Sequence, residues 1–115
     1  MKGYKVVFVG EHGRLESVSL GFYDSGFTIY VPNERTTRQF GCGPLAVFTN
    51  LDDARRFIEY IIGDRLEIWE CDYDRSTEKM YYNVDGYSYY NVDGKDFADV
   101  VTITRLVAVK TLNMA

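Results

Sequence analysis

The chain is poor in the residues that build metal sites and covalent cross-links. Its 115 residues include two cysteines, Cys42 and Cys71, and one histidine, His12. These three side chains are too few for a four-ligand zinc site, and nothing in their spacing pairs His12 with Cys42 as base and nucleophile. We therefore predict no metal and no other cofactor.

A long apolar run and an excess of positive charge are also missing. No run approaches the roughly 20 apolar residues that span a bilayer, and the run at residues 6–9 is too short for the core of a signal peptide. Acidic residues outnumber basic ones by 17 to 13, which argues against a general binder of nucleic acid or of anionic membranes. We expect a single domain, residues 1–115, in the reducing cytoplasm and without a disulfide.

Hydrophobic periodicity predicts the α+β class. Alternating or β-branched runs predict strands, which fall at residues 4–9, 14–20, 27–31, 45–48, 65–73 and 100–109. Both faces of the run at 65–73 are partly apolar, as in an interior strand. We expect a twisted, mostly antiparallel sheet of about six to eight strands with one main helix packed on it.

That helix is predicted at about residues 51–62. Thr49 or Asn50 can cap its first turn, because either side chain accepts a hydrogen bond from an otherwise unpaired backbone N–H. Asp52 and Asp53 suit the positive end of the helix dipole. The apolar residues follow the helical period, and the glycine after them is a natural stop.

An internal repeat follows, in which Tyr-Tyr-Asn-Val-Asp-Gly occurs at residues 81–86 and again at 89–94. Asp-Gly between β-prone runs is typical of hairpin turns, since glycine tolerates a positive φ. Two such turns predict a Tyr-rich β-meander at about residues 79–97, in which two-residue turns place Tyr82 opposite Tyr89. The repeat does not fit a calcium-binding EF-hand, because tyrosine stands at the first ligand position of either copy.

The same segment is rich in tyrosine and acid. Five of the ten tyrosines fall at residues 81–90, and residues 64–99 hold ten acidic and four basic residues, a formal charge of -6. Tyrosine offers a large contact area at low entropy cost, and acid favours a basic partner. The alternative is that the rings cover their own sheet. We predict a small non-enzymatic protein that binds a host protein, or a second copy of itself by edge pairing, through four residues: Tyr82, Tyr87, Tyr89 and Tyr90.

A ligand-binding or catalytic domain for a nucleotide-like anion is the second possibility. Arg35 and Arg38 offer bidentate donors for carboxylate or phosphate. Tyr30, Cys42 and the turn at residues 41–44 would line the cleft beside them. A solvated loop is the plainer interpretation of both arginines, and the chain contains no P-loop, G-x-G-x-x-G or H-E-x-x-H motif.

Three runs carry a resemblance to a known group: Gly41-Cys42-Gly43-Pro44-Leu45-Ala46-Val47-Phe48, Leu51-Asp52-Asp53-Ala54-Arg55-Arg56-Phe57 and Glu67-Ile68-Trp69-Glu70-Cys71. The chain resembles small uncharacterised phage, prophage and archaeal proteins that share a Gly-Pro-Leu-x-Val-Phe strand and a Leu-x-x-Ala-x-x-Phe helix. That group has no established activity, so the resemblance implies a fold and a viral or mobile-element origin, not a reaction. The element order also resembles ADP-ribosyltransferase-like domains, but the matched positions include no catalytic glutamate motif.

Overall fold

The computed structural model describes residues 1–17, 28–38, 44–60, 65–77, 80–82, 88–90 and 94–111. Within these residues one helix accompanies nine strands, and every strand pairing is antiparallel. The elements are β1 (Lys2–Val9), β2 (Leu15–Ser17), β3 (Ile29–Tyr30), β4 (Thr36–Thr37), β5 (Leu45–Phe48), α1 (Leu51–Tyr60), β6 (Arg65–Arg75), β7 (Met80–Tyr82), β8 (Ser88–Tyr90) and β9 (Lys95–Thr111). Seven strands form the main sheet, which confirms the predicted α+β class and strand number.

Four strands of the main sheet close on themselves. β6 pairs with β1 on one edge and with β9 on the other, which confirms that it is an interior strand. β9 also pairs with β5, and β5 returns to β1 through Tyr4 and Phe48. We call this ring of β1, β6, β9 and β5 the barrel. β2 and β3 extend it beyond β1, and β4 extends it beyond β9.

Strand alternation divides the core into two clusters. Because successive side chains of a strand point to opposite faces, Val7 and Val9 of β1 lie inside the barrel, whereas Tyr4, Val6 and Phe8 lie under the helix. The buried residues inside the barrel are Val7, Leu15, Tyr30, Leu45, Val47, Cys71, Tyr73, Ala98, Val101 and Ile103. Those on the helix side are Val6, Phe48, Ala54, Ile58, Leu66 and Ile68.

The helix α1 begins as the sequence predicts. The Asn50 side-chain oxygen accepts a hydrogen bond from the Asp53 backbone N–H at 2.9 Å, so Asn50 is the N-cap. Ala54 and Ile58 are buried against the sheet. The predicted last turn, residues 61–62, lies outside the described residues. In the part of the chain that is described, no helix is long and apolar enough to cross a membrane.

Two strands differ from prediction in extent. β4 lies within a segment that the sequence predicts to be irregular; Thr36 and Thr37 pair with the edge of β9. The Arg38 backbone N–H continues this contact by donating to the Asp99 carbonyl at 2.9 Å. β9 is 17 residues long instead of ten, because its first residues pair with β5 and its last with β6. Both differences come from pairing with distant strands, which local patterning does not show.

The Tyr-rich repeat forms a two-stranded sheet of β7 and β8, which we call the ribbon. Its register differs from prediction by one residue, because Tyr82 pairs with Ser88 and not with Tyr89. Five residues separate Tyr82 from Ser88, whereas a regular two-residue turn leaves an even number between paired residues. The next strand, β9, pairs with β4, β5 and β6; among the described residues it does not pair with β8.

Candidate functional site

The predicted partner-binding tyrosines are divided between the two faces of the ribbon. The register pairs Tyr81 with Tyr89, so these positions share one face. The two neighbouring pairs are Met80 with Tyr90 and Tyr82 with Ser88, so Tyr82 and Tyr90 share the other face. Tyr87 lies outside the described residues. A partner that docks on one face of the ribbon would meet one of these tyrosine pairs and not the other.

The acidic residues of β6 and of early β9 form ion pairs, four of them with basic residues from outside the stretch 64–99 and two with arginines of β6. Six of the ten acidic residues in the stretch 64–99 are described, and each lies within 4.0 Å of a basic side chain. The pairs are Lys2–Asp72, Arg35–Asp74, Arg38–Asp99, Arg65–Glu67, Arg75–Asp96 and Arg105–Glu70. The formal charge of -6 therefore overstates what the described part of this stretch presents to a basic partner.

The predicted anion site is not assembled by the described residues. The Arg35 guanidinium is exposed and lies 3.4 Å from the Asp74 carboxylate, and Arg38 lies 3.6 Å from Asp99. Tyr30 is buried in the barrel core. Cys42 and most of the predicted turn lie outside the described residues, so the complete site stays a prediction.

A cavity that the sequence analysis did not predict opens at one end of the barrel. It has a volume of about 450 Å³ and lies where β1 ends and β6 begins, beside β2 and β3. We call it the barrel mouth. Its walls are mainly apolar and aromatic, formed by Val9, Leu15, Tyr30, Pro32 and Trp69. Three charged residues also line it: Arg14, Arg65 and Glu67.

The charged residues of the barrel mouth are arranged around a buried carboxylate. Glu67 is only 6% exposed, and its Oε1 accepts a hydrogen bond from the Trp69 indole N–H at 2.9 Å. Arg65 lies 3.7 Å from the other carboxylate oxygen. Arg14 lies 3.4 Å from Glu16. Both guanidinium groups are about half exposed, so these loose pairs leave donors free for a ligand.

A buried lysine lies beneath the barrel mouth. Lys5 is 7% exposed, and its Nζ donates to the Ala46 carbonyl at 2.6 Å. The same atom lies 5.4 Å from the centre of the Tyr30 ring, and Tyr30 in turn lines the cavity. Burial, with a smaller contribution from the charge of Lys95, lowers the pKa of Lys5 from 10.5 to about 8.

Tyr30 and Cys71 complete this polar group inside the barrel. The Tyr30 hydroxyl is buried, and among the described residues it has no hydrogen-bond partner. Burial raises the pKa of the Tyr30 hydroxyl and raises that of the Cys71 thiol to about 11. Both groups therefore stay protonated at neutral pH, and the thiol is a poor nucleophile. The signal for this group was the alternation that places Lys5 on the same face as Val7 and Val9.

At the other end of the barrel, the Asp96 carboxylate accepts three hydrogen bonds. Asp96 accepts hydrogen bonds from the Tyr73 hydroxyl and Arg75 Nε, each at 2.8 Å, and from the Phe97 backbone N–H at 2.9 Å. Burial alone would raise the pKa of Asp96, but these three donors lower it below its ordinary value. A carboxylate held in this way stabilises the fold and is a weak general base. Among the described side chains, no cluster of three His, Cys, Asp or Glu could hold a metal ion.

Comparison of the chain with protein-family models, with curated proteins and with solved structures found no match. The resemblance to small phage, prophage and archaeal proteins therefore stays a prediction from the sequence. Function has to be argued from the ribbon, the barrel mouth and their chemistry.

Proposed function

We propose that the protein is a small non-enzymatic binding protein that engages a second protein, or a second copy of itself, through the ribbon. One observation carries the proposal: β7 and β8 form a sheet of their own, which within the described residues is not joined to the barrel sheet. An isolated two-stranded hairpin is marginally stable in water. Among the described residues its outer edges pair with no other strand, and the backbone donors and acceptors of such edges can be satisfied by a partner strand.

The positions of the tyrosines support a contact made by one face. Tyr82 and Tyr90 share one face of the ribbon, and Tyr81 and Tyr89 share the other. A ribbon can cover its own domain with only one face, so the other pair is available to a partner. Tyrosine rings at such positions add contact area with little loss of entropy.

The ion pairs limit how much charge can contribute to recognition of the partner. Because the described acidic residues of the stretch are already paired, recognition would rest on tyrosine rings and backbone hydrogen bonds more than on charge. We therefore expect the affinity to change little with added salt, in contrast to an interface between oppositely charged surfaces. We propose that the protein acts in the cytoplasm of a cell that hosts a phage or another mobile element.

Two double variants and one control test the proposal. Tyr82→Ser with Tyr90→Ser alters one face, and Tyr81→Ser with Tyr89→Ser alters the other. Tyr60→Ser is the control, since Tyr60 is 90% exposed on the helix. Light scattering after size-exclusion chromatography measures self-association. A pull-down with the tagged full-length chain measures the capture of other proteins.

We expect one double variant to lose the interaction while the other and the Tyr60→Ser control keep it. Circular dichroism checks that each variant remains folded. The proposal fails if the wild-type chain is monomeric and captures no partner. It also fails if both double variants bind as the wild type does.

A further inference from the structure

We infer that the barrel mouth binds a small amphipathic monocarboxylate, whose apolar body fills the cavity and whose carboxylate is held by Arg14 and Arg65. The site is distinct from the ribbon and does not depend on it. The volume of about 450 Å³ falls within the roughly 300–1,000 Å³ of small-molecule pockets.

The walls of the cavity determine the apolar part of the ligand. Val9, Leu15 and Pro32 supply aliphatic surface, and the Tyr30 and Trp69 rings supply aromatic surface. Such walls favour an aliphatic or aromatic body over a sugar or a nucleotide, whose many polar groups would find few partners there.

The charges around the cavity determine the sign of the charge that a ligand should carry. Arg14 and Arg65 line the barrel mouth with half-exposed guanidinium groups, and Lys5 lies behind the Tyr30 ring. Against these three cations stand two carboxylates. Glu67 lines the cavity, but the Trp69 indole N–H occupies one of its oxygens. The other is Glu16, beside Arg14. Among the described residues around the cavity the balance is positive, although the whole chain carries -4, so an anion is favoured.

The buried Tyr30 hydroxyl is a second observation that points to a ligand. It lacks a hydrogen-bond partner among the described residues, and Tyr30 is one of the residues that line the cavity. Orphaned buried polar groups are rare in folded proteins and call for an explanation. A shift of this ring on ligand binding would give the hydroxyl a polar partner and bring the anion closer to Lys5.

Tryptophan fluorescence provides a direct assay, because Trp69 is the only tryptophan of the chain and lines the cavity. The probes are 4-phenylbutyrate, 4-phenylbutan-1-ol and 4-phenylbutylamine, which share one apolar body and differ in the charge of the head group. We expect a saturable change with the acid, an affinity roughly tenfold lower for the alcohol, and the weakest binding for the amine.

Three variants of the full chain test the roles of individual residues. Arg14→Gln and Arg65→Gln should each weaken binding of 4-phenylbutyrate roughly tenfold, as expected for loss of one charge-assisted hydrogen bond. Glu67→Gln keeps an acceptor for Trp69 but removes a repelling charge, so it should tighten binding. A gain of affinity cannot arise from misfolding. Arg55→Gln, on the exposed face of the helix, should change nothing.

Two results would overturn the inference. One is the absence of saturable binding by all three probes to a wild-type chain whose thermal unfolding is cooperative. The other is equal affinity for the acid, the alcohol and the amine, or a preference for the amine, since either would show that the arginines do not select the ligand.

Discussion

The buried ammonium of Lys5 predicts how folding stability depends on pH. Burial inside the barrel lowers the pKa of Lys5 from 10.5 to about 8, so between these pH values the unfolded chain holds more protons than the folded one. Stability must then rise with pH across this window. At 1.36 kcal/mol per pKa unit, the full effect is about 3 kcal/mol. It opposes folding below pH 8 and has vanished above about pH 10.5.

Two neighbouring groups act in the opposite direction. Cys71 interacts with Lys5 electrostatically, and burial raises the pKa of the thiol to about 11. The unfolded chain therefore releases the thiol proton first, and stability falls as pH rises from about 9 to 11. The raised pKa of the Tyr30 hydroxyl has the same sign at still higher pH. The wild-type curve is thus a sum of opposing contributions, and only a comparison of variants isolates the contribution of Lys5.

The comparison uses Lys5→Met, which keeps Cys71 and Tyr30 and removes only the amine. Urea unfolding at several pH values should show the wild type gaining about 2 kcal/mol relative to this variant between pH 8 and pH 10. Lys2→Met is the matched control, because Lys2 is exposed and its pKa is raised by Asp72, so it keeps its charge over this range. Parallel curves for wild type and Lys5→Met would refute the reasoning.

Three further substitutions test the packing and the charges around the helix and the barrel. Gly13 and Gly94 both have positive φ, but a Cβ at Gly94 would clash with the Asp53 carboxylate, whereas a Cβ at Gly13 would meet open space. Gly13→Ala should therefore lower the free energy of unfolding by ~1 kcal/mol, and Gly94→Ala should lower it by clearly more, as measured by thermal unfolding. Asn50→Ala should lose about 1 kcal/mol of unfolding free energy through loss of the cap, and Asn50→Asp should restore it. Because the pKa of Asp96 is lowered in the folded chain, its carboxylate stabilises the fold at pH values above its unfolded pKa of about 3.9, and this contribution is lost as pH falls through the folded pKa. The stability of Asp96→Asn should therefore fall less steeply with acid than the stability of the wild type.

Elements fixed by neighbouring residues could be predicted from the sequence, whereas pairing between distant strands could not. The helix start at Leu51 depends on Asn50 and on an apolar period, and both are local signals. The closure of the barrel depends on Tyr4 meeting Phe48, a contact that no local pattern specifies. The predicted ribbon register was wrong by one residue because Asp-Gly favours a two-residue turn, whereas five residues lie between Tyr82 and Ser88.

The functional residues show the same division. Alternation places Glu67, Trp69 and Cys71 on one face of β6, but it does not show that this face lines a cavity. Counting charges gave -6 for residues 64–99, but four of the six basic partners, such as Lys2 and Arg105, come from outside that stretch. A charge count reports composition, whereas recognition depends on which charges remain unpaired after folding.

The barrel mouth lies at the start of β6, whereas the ribbon follows the end of β6 in the sequence, and this order has a physical consequence. β6 begins at Arg65 beside the cavity and ends at Arg75, after which the chain leads into the ribbon. Ten steps of ~3.3 Å place these ends roughly 30 Å apart. Both edges of β6 are paired along most of the strand, and a ligand at the mouth has no short route by which to alter the ribbon. We therefore expect saturating 4-phenylbutyrate to leave self-association or partner capture unchanged, as measured by light scattering. A ligand-induced change would mean that the barrel has two arrangements, in which case Tyr30, which contacts both the cavity and Lys5, would be the first side chain to examine.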